Sequence, residues 1–158
     1  KYVLQLVVID GGNQRTVNVP VIVDNQAPTV TITSPTATMP VVNSDRDKLD
    51  EDRTFQTGAD DAVIVKVDAR DNVNVRRVEL YLNGHLVGIS SIPPYTVRVD
   101  YAALPGEIEN VEALQATIGP LPAFTPPAGA RSLVAHVVAY DSAGNMAFSA
   151  PTDLYVIP

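Results

Sequence analysis

A strand-and-turn unit that occurs twice constrains this chain more than anything else in it. Leu133 to Asn145 reads LVAHVVAYDSAGN, and Tyr2 to Asn13 reads YVLQLVVIDGGN. Aligning Asp10 on Asp141 pairs Tyr2, Leu4, Leu6 and Val8 with Leu133, Ala135, Val137 and Ala139. Apolar residues at a period of two line one face of a strand. The Asp, Gly and Asn residues that follow suit a tight turn, because Gly and Asn tolerate positive φ and Asp binds nearby backbone N–H groups. Short strands with turn signals about every ten residues are the pattern of an all-β sandwich.

The chain in order bears this out. Residues 1–10 form a strand, Asp10 to Asn13 a turn, and Thr16 to Val23 a partner strand with Val17, Val19, Val21 and Val23 on one face. Pro20 removes a ladder donor, so the second strand lies at an edge or is bulged. A lone hairpin is marginal in water, so residues 1–27 are expected to pack on the main domain or on another copy of the chain. Asp24 to Pro28 is a linker, since Pro28 holds Ala27 extended. It separates a terminal hairpin, residues 1–27, from a domain at 28–158.

Thr29 to Thr33 is the first strand of that domain. Residues 36–61 read as one long polar insertion, with seven acids and three bases between Asn43 and Asp61. Val63, Val65, Val67 and Ala69 then alternate with Ile64, Lys66, Asp68 and Arg70. Val78, Leu80 and Leu82 alternate with Arg77, Glu79 and Tyr81. Asn83-Gly84 marks a two-residue hairpin, because a type I′ turn needs positive φ at both central positions. One bond of Pro93-Pro94 is a candidate for the cis form. Tyr95, Val97, Val99 and Tyr101 face inward. Residues 102–130 are a second insertion, in which Ile108, Val111, Leu114 and Ile118 fit one short helix over Gly106–Thr117. The closing hairpin runs from Leu133 through the turn Asp141–Asn145 to a last strand near Thr152–Ile157.

Composition excludes several functions. The net charge of −7 repels a phosphate backbone and argues against nucleic acid as a partner. The absence of cysteine removes disulfides, zinc thiolates and thiol nucleophiles. No apolar run approaches the ~20 residues of a membrane span, so direct membrane insertion is not expected. The chain starts inside a strand pattern and reads as a piece of a longer protein, with targeting signals lying elsewhere.

The strings Asp24-Asn-Gln-Ala-Pro-Thr-Val30, Val67-Asp-Ala-Arg-Asp-Asn-Val-Asn-Val75, Val78 to Gly88, Pro94-Tyr-Thr-Val97 and Ala139 to Asn145 occur in an order that resembles the bacterial immunoglobulin-like domains found in tandem on secreted and surface proteins. The resemblance covers most of 1–34 and 62–158, and the two insertions depart from it. It implies an immunoglobulin-like β-sandwich with two loop insertions, one carrying a short helix, preceded by the last hairpin of another such module. It further implies a non-catalytic spacer or adhesive unit of an extracellular or cell-surface protein, in some cases appended to a cell-wall enzyme such as a penicillin-binding protein. Expected partners are neighbouring immunoglobulin-like domains, cell-wall polysaccharide or another surface protein, and self-association through residues 1–27. The alternative is an accessory carbohydrate-binding module acting through 36–61 and 102–130.

No catalytic constellation is legible. His85 and His136 have no Ser or Asp at a motif spacing, which points to surface or packing roles. The acids cluster in polar loops with no apolar flank to raise a pKa. Calcium is the one cofactor the sequence suggests. Asp24 and Asn25 in the linker, Asp71 and Asn72 in the next turn, and Asp141 and Asn145 could gather at one end of a sandwich and offer the oxygens that Ca²⁺ prefers. The competing reading is that Asp141 and Asn145 simply close a turn by side-chain hydrogen bonds. For glycan binding the chain offers no Trp, and Tyr81 is the one tyrosine read as facing outward, so it is the single ligand candidate.

Overall fold

The computed structural model describes residues 1–35, 40–43, 62–100, 103–123, 125 and 128–157. Tyr101, expected to face inward, lies outside the described residues. The strands are β1 (Tyr2–Asp10), β2 (Asn13–Val21), β3 (Thr29–Ser34), β4 (Pro40–Asn43), β5 (Ala62–Arg70), β6 (Val75–Leu82), β7 (His85–Ser90) and β8 (Tyr95–Asp100). Helix α1 (Val111–Ile118) follows, then β9 (Arg131–Asp141), β10 (Met146–Phe148) and β11 (Thr152–Ile157). One sheet runs β4-β11-β9-β6-β7, with β10 also paired to β9, and a second runs β3-β5-β8. All described pairings are antiparallel except β4 with β11.

The two sheets face each other across one core, as the alternation requires. Val63, Val65 and Val67 of β5 and Tyr95, Val97 and Val99 of β8 meet Val78, Leu80 and Leu82 of β6 and Leu133, Ala135, Val137 and Ala139 of β9. Each Val or Leu so buried contributes ~1.5–3 kcal/mol from apolar area removed from water. The Asn83-Gly84 turn closes β6 onto β7 with φ of 50° and 86°, as the dipeptide demands. The peptide bonds preceding Pro35 and Pro94 are cis.

Strand β9 departs from simple alternation. Every residue from Leu133 to Ala139 is buried. Its outward face carries Val134, which packs with Leu114 and Ile118 of α1 and with Ile108 and Leu121. A strand covered on both faces reads as a nearly continuous apolar run, which LVAHVVA is.

Three expectations need correction. Residues 36–61 do not form one uninterrupted loop, because Pro40–Asn43 pairs in parallel with β11. An open sheet edge presents unpaired backbone groups, and even four residues cover some of them. The helix begins at Val111, not at Gly106, because the Asn110 side chain caps it by accepting from Ala113 N–H at 2.9 Å. Ile108 packs on the same cluster from the preceding loop, while Val111 is exposed. The last strand lies at Thr152–Ile157 as expected, but the turn after β9 leads first into the short β10: β10 pairs with the end of β9 and β11 with its beginning. Buried Ser149 sits at the break and accepts from Val137 N–H through Oγ at 2.9 Å.

The N-terminal hairpin has the expected register, with Tyr2, Leu4 and Leu6 opposite Val21, Val19 and Val17. It does not pack on the sandwich. Every residue of β1 and β2 is exposed except half-buried Val21. Of the two coverings expected for it, the main domain does not supply one.

Candidate metal site and aromatic groove

Three separate loops meet at the end of the sandwich nearest the hairpin. Each is a turn shaped by its own aspartate. In the linker, Asp24 Oδ1 accepts from Gln26 N–H at 3.2 Å. In the β5–β6 loop, Asp71 Oδ2 accepts from Val73 and Asn74 N–H at 2.8 and 2.9 Å. In the β9–β10 turn, Asp141 Oδ1 accepts from Ala143 and Asn145 N–H, both at 2.8 Å. Asp at such positions competes for backbone donors over two to four residues, which is why these loops are turns and not extended strand.

Side chains then tie the loops together. Asn74 Nδ2 donates to Ser142 Oγ at 3.0 Å. Asn145 Nδ2 donates to Asp141 Oδ2 at 2.6 Å and lies 3.2 and 3.3 Å from the carbonyl oxygens of Gln26 and Asp24. The linker is therefore held against the domain by Asn145. Pro28, buried at the start of β3, fixes its other end.

The result brings carboxylate oxygens of Asp24, Asp71 and Asp141 within 4.8 Å of one another. These are three of the six residues the sequence nominated for calcium. Asn145, the fourth, serves as the clamp just described, while Asn25 and Asn72 are exposed. Asp71 Oδ1 is buried with no hydrogen-bond partner. Burial alone would raise the Asp141 carboxyl. The Asn145 side chain and the backbone N–H groups of Asn145, Gly144 and Ala143 more than offset this and hold it below the usual carboxylate range. Asp141 thus stays charged beside two other carboxylates. An all-oxygen, acid-rich cluster suits a hard cation such as Ca²⁺ and not a soft one. The turn-closing role of Asp141 and Asn145 is also present, so the two readings coexist at one residue.

A second feature lies on the outward face of the β9 sheet, beside α1. The Tyr81 ring stacks on the His136 ring at 4.9 Å between centroids and 13° between planes. Tyr81 OH donates to Glu79 Oε2 at 2.9 Å, and Arg77 Nε donates to Glu79 Oε1 at 2.6 Å. The Arg77 guanidinium lies 4.0 Å above the Tyr140 ring. Burial opposes the charge on Glu79, but Arg77 and Tyr81 keep its carboxyl below the usual range. Burial and the neighbouring Glu79 carboxylate push the Tyr81 hydroxyl up to about 12. The rings are thereby locked in place, and beside them a cavity of about 480 Å³ opens between β10 and α1.

His136 was read as a surface or packing residue, and it is a packing one, only 3% exposed. Burial lowers its pKa to about 4, so it is neutral near pH 7. Its Nδ1 has no hydrogen-bond partner. His85 is exposed on the β6–β7 hairpin. Tyr81 does face outward, yet it is half-buried among its neighbours. Tyr140, Met146 and Phe148 also line the cavity, and the sequence reading passed over them. Their signal was their register: Met146 and Phe148 pair across from Tyr140 and Val138, on the same face as His136.

Known proteins agree with this architecture. Residues 50–113 match the family model described as bacterial Ig domain. No curated protein matches the chain. Among solved structures, the fibronectin(III)-like modules of Clostridium thermocellum CbhA are similar over 82% of this chain and 96% of that one, at 18% identity and a TM-score of 0.51. At that identity the likeness speaks to fold alone, and it is a likeness to another all-β sandwich. Such modules are typically non-catalytic, and no described helix is long and apolar enough to cross a membrane. With two packed sheets around one valine-rich core, the chain folds as an immunoglobulin-like all-β sandwich, and its residues 50–113 are similar to the bacterial Ig domain family.

Proposed function

We propose that this chain is a non-catalytic structural module of a multidomain secreted or cell-surface bacterial protein, and that it holds neighbouring domains at a fixed distance and angle. Attachment to a cell-wall enzyme is one setting for such a module. The observation that carries the reading is the junction. A spacer works only if its joints are stiff, because a free linker lets neighbours move independently. Here Asn145 grips two linker carbonyls, and Asp24 of the linker meets Asp71 and Asp141 of the domain. A Ca²⁺ ion held by these three carboxylates would join linker to domain and relieve the repulsion among them. Backbone carbonyls and water would complete its shell.

The hairpin fits the same reading as the closing piece of a preceding immunoglobulin-like module, residues 1–27, with the second module at 28–158. The support is internal. Leu133, Ala135, Val137 and Ala139 are fully buried at 0% exposure, whereas the aligned Tyr2, Leu4, Leu6 and Val8 are 53–66% exposed. A face of this composition is normally covered, and a neighbouring module of the same protein or a second copy would cover it. The test is calcium dependence of the junction: Ca²⁺ should raise the unfolding temperature and protect the Val23–Ala27 bonds from proteolysis, and Asp24→Asn should abolish both effects. A second reading, an accessory carbohydrate-binding module acting through 36–61 and 102–130, is favoured by the cavity that α1 of the second insertion makes against the sheet.

A further inference from the structure

The cavity between α1 and β10 has the build of a small-ligand site. Its volume of about 480 Å³ falls in the ~300–1,000 Å³ range of such sites. Tyr81, His136, Tyr140 and Phe148 supply ring surface, and Glu109 and Asn110 supply polar groups at the helix start. The rings are preorganised by the Arg77–Glu79–Tyr81 hydrogen bonds, the Tyr81–His136 stack and the Arg77 contact on Tyr140. Holding rings in place beforehand lowers the ordering cost of binding. His136, nine-tenths buried and better, lines the cavity and keeps an unpartnered ring nitrogen.

From this lining we infer that the cavity binds a neutral sugar unit of a polysaccharide. The C–H face of a pyranose is apolar and faintly positive, so it packs on the negative faces of aromatic rings. Its hydroxyls need a few placed donors and acceptors, which the Glu109 and Asn110 side chains at the helix start offer. Charge argues against anionic ligands. Among the described residues the lining contains Glu109 and no Lys or Arg, the Arg77 guanidinium over the lining residue Tyr140 is already paired with Glu79, and the chain carries −7 overall.

The inference specifies the carbohydrate-binding reading and rests on it, so the experiment separates the two. The full chain and its Phe148→Ala variant are titrated with cellotetraose and with chitotetraose while backbone amide signals are followed by NMR. Both proteins are also sedimented with insoluble cellulose and chitin. Phe148 is 41% exposed and outside the core, so the variant should fold with an unchanged unfolding temperature. Expected are saturable shifts at Ala113, Thr117, Val138 and Phe148, and affinity about tenfold weaker once one ring face is lost. Co-sedimentation that Phe148→Ala leaves unchanged, or shifts confined to other surfaces, would overturn the groove while sparing the broader reading. Absence of both shifts and sedimentation would overturn both. Saturation by the tripeptide Gly-Phe-Gly with none by either sugar would replace the sugar with a peptide side chain.

Discussion

Asn83 does three jobs at once, and replacing it gives a graded test of how the second insertion is held to the sheet. Its Oδ1 accepts from Val134 N–H at 2.8 Å in a buried setting, its Nδ2 donates to Gly106 O at 2.7 Å, and its backbone sits at φ 50°. In Asn83→Ala, Val134 N–H is left buried without a partner, which costs ~1–3 kcal/mol. Loss of the half-buried bond to Gly106 costs ~0.5–1.5 kcal/mol. Holding Ala at positive φ adds ~1 kcal/mol. The expected loss is about 3–5 kcal/mol, a large share of the ~5–15 kcal/mol available to a domain. Asn83→Gly loses the same hydrogen bonds but keeps the backbone free, so it should be ~1 kcal/mol milder than the alanine variant. Urea unfolding followed by far-UV circular dichroism measures both, since the chain has no Trp. An alanine variant within ~1 kcal/mol of the parent, or a glycine variant no milder than alanine, would refute the reasoning.

Other outcomes follow from particular contacts. A methyl group at Gly88 would land on Val97 Cγ1 of the facing sheet, so Gly88→Ala should destabilise by ~1–3 kcal/mol. Val97→Ala should relieve part of that, and strict additivity in the double variant would contradict it. His136 has a folded pKa of about 4, below its ordinary value, because burial disfavours its charged form. Its contribution is therefore complete above about pH 6.5 and is lost as pH falls toward 4, by up to ~3 kcal/mol. His136→Gln should flatten the stability profile in that window, leaving the loss at lower pH to Asp141 and Glu79, and an unchanged profile would count against a buried neutral imidazole. The apolar hairpin face should make the chain associate as concentration rises, and Leu4→Glu with Leu6→Glu should leave a monomer of unchanged unfolding temperature. Light scattering that finds the parent monomeric throughout would remove that expectation.

Much of the fold is legible because it rests on local rules. The Asn83-Gly84 turn, the Asp10-to-Asn13 turn and the inward valines of β5, β6 and β8 follow from backbone sterics and a period of two. The junction acids were legible for a related reason: Asp71 and Asp141 punctuate strand ends of one sandwich, where turns cluster, and Asp24 sits in the linker that leads into its first strand. What was hidden depends on tertiary context. Pro40–Asn43 has no periodicity to reveal that it pairs with β11. Val111 fits a helical stripe and is nonetheless exposed, because Asn110 sets the helix start and the neighbouring strand sets which face is covered. His136 looks like an outward surface residue until Tyr81 and α1 cover that side of β9. The aromatic cavity was missed for the same reason, since its rings come from β6, β9 and β10, and no sequence spacing relates them.

The central claim is that the linker and the domain are joined through Asp24, Asp71 and Asp141. It is tested most directly by thermal unfolding of the full chain in millimolar Ca²⁺, in EDTA, and in millimolar Mg²⁺. A ligand at about 100 times its Kd that binds only the folded state adds ~2.7 kcal/mol. The account predicts a rise of several degrees with Ca²⁺, little with Mg²⁺, which demands stricter octahedral geometry, and none in Asp24→Asn or Asp71→Asn. Identical unfolding temperatures in Ca²⁺ and EDTA would contradict it and leave the three aspartates as turn-closing residues alone.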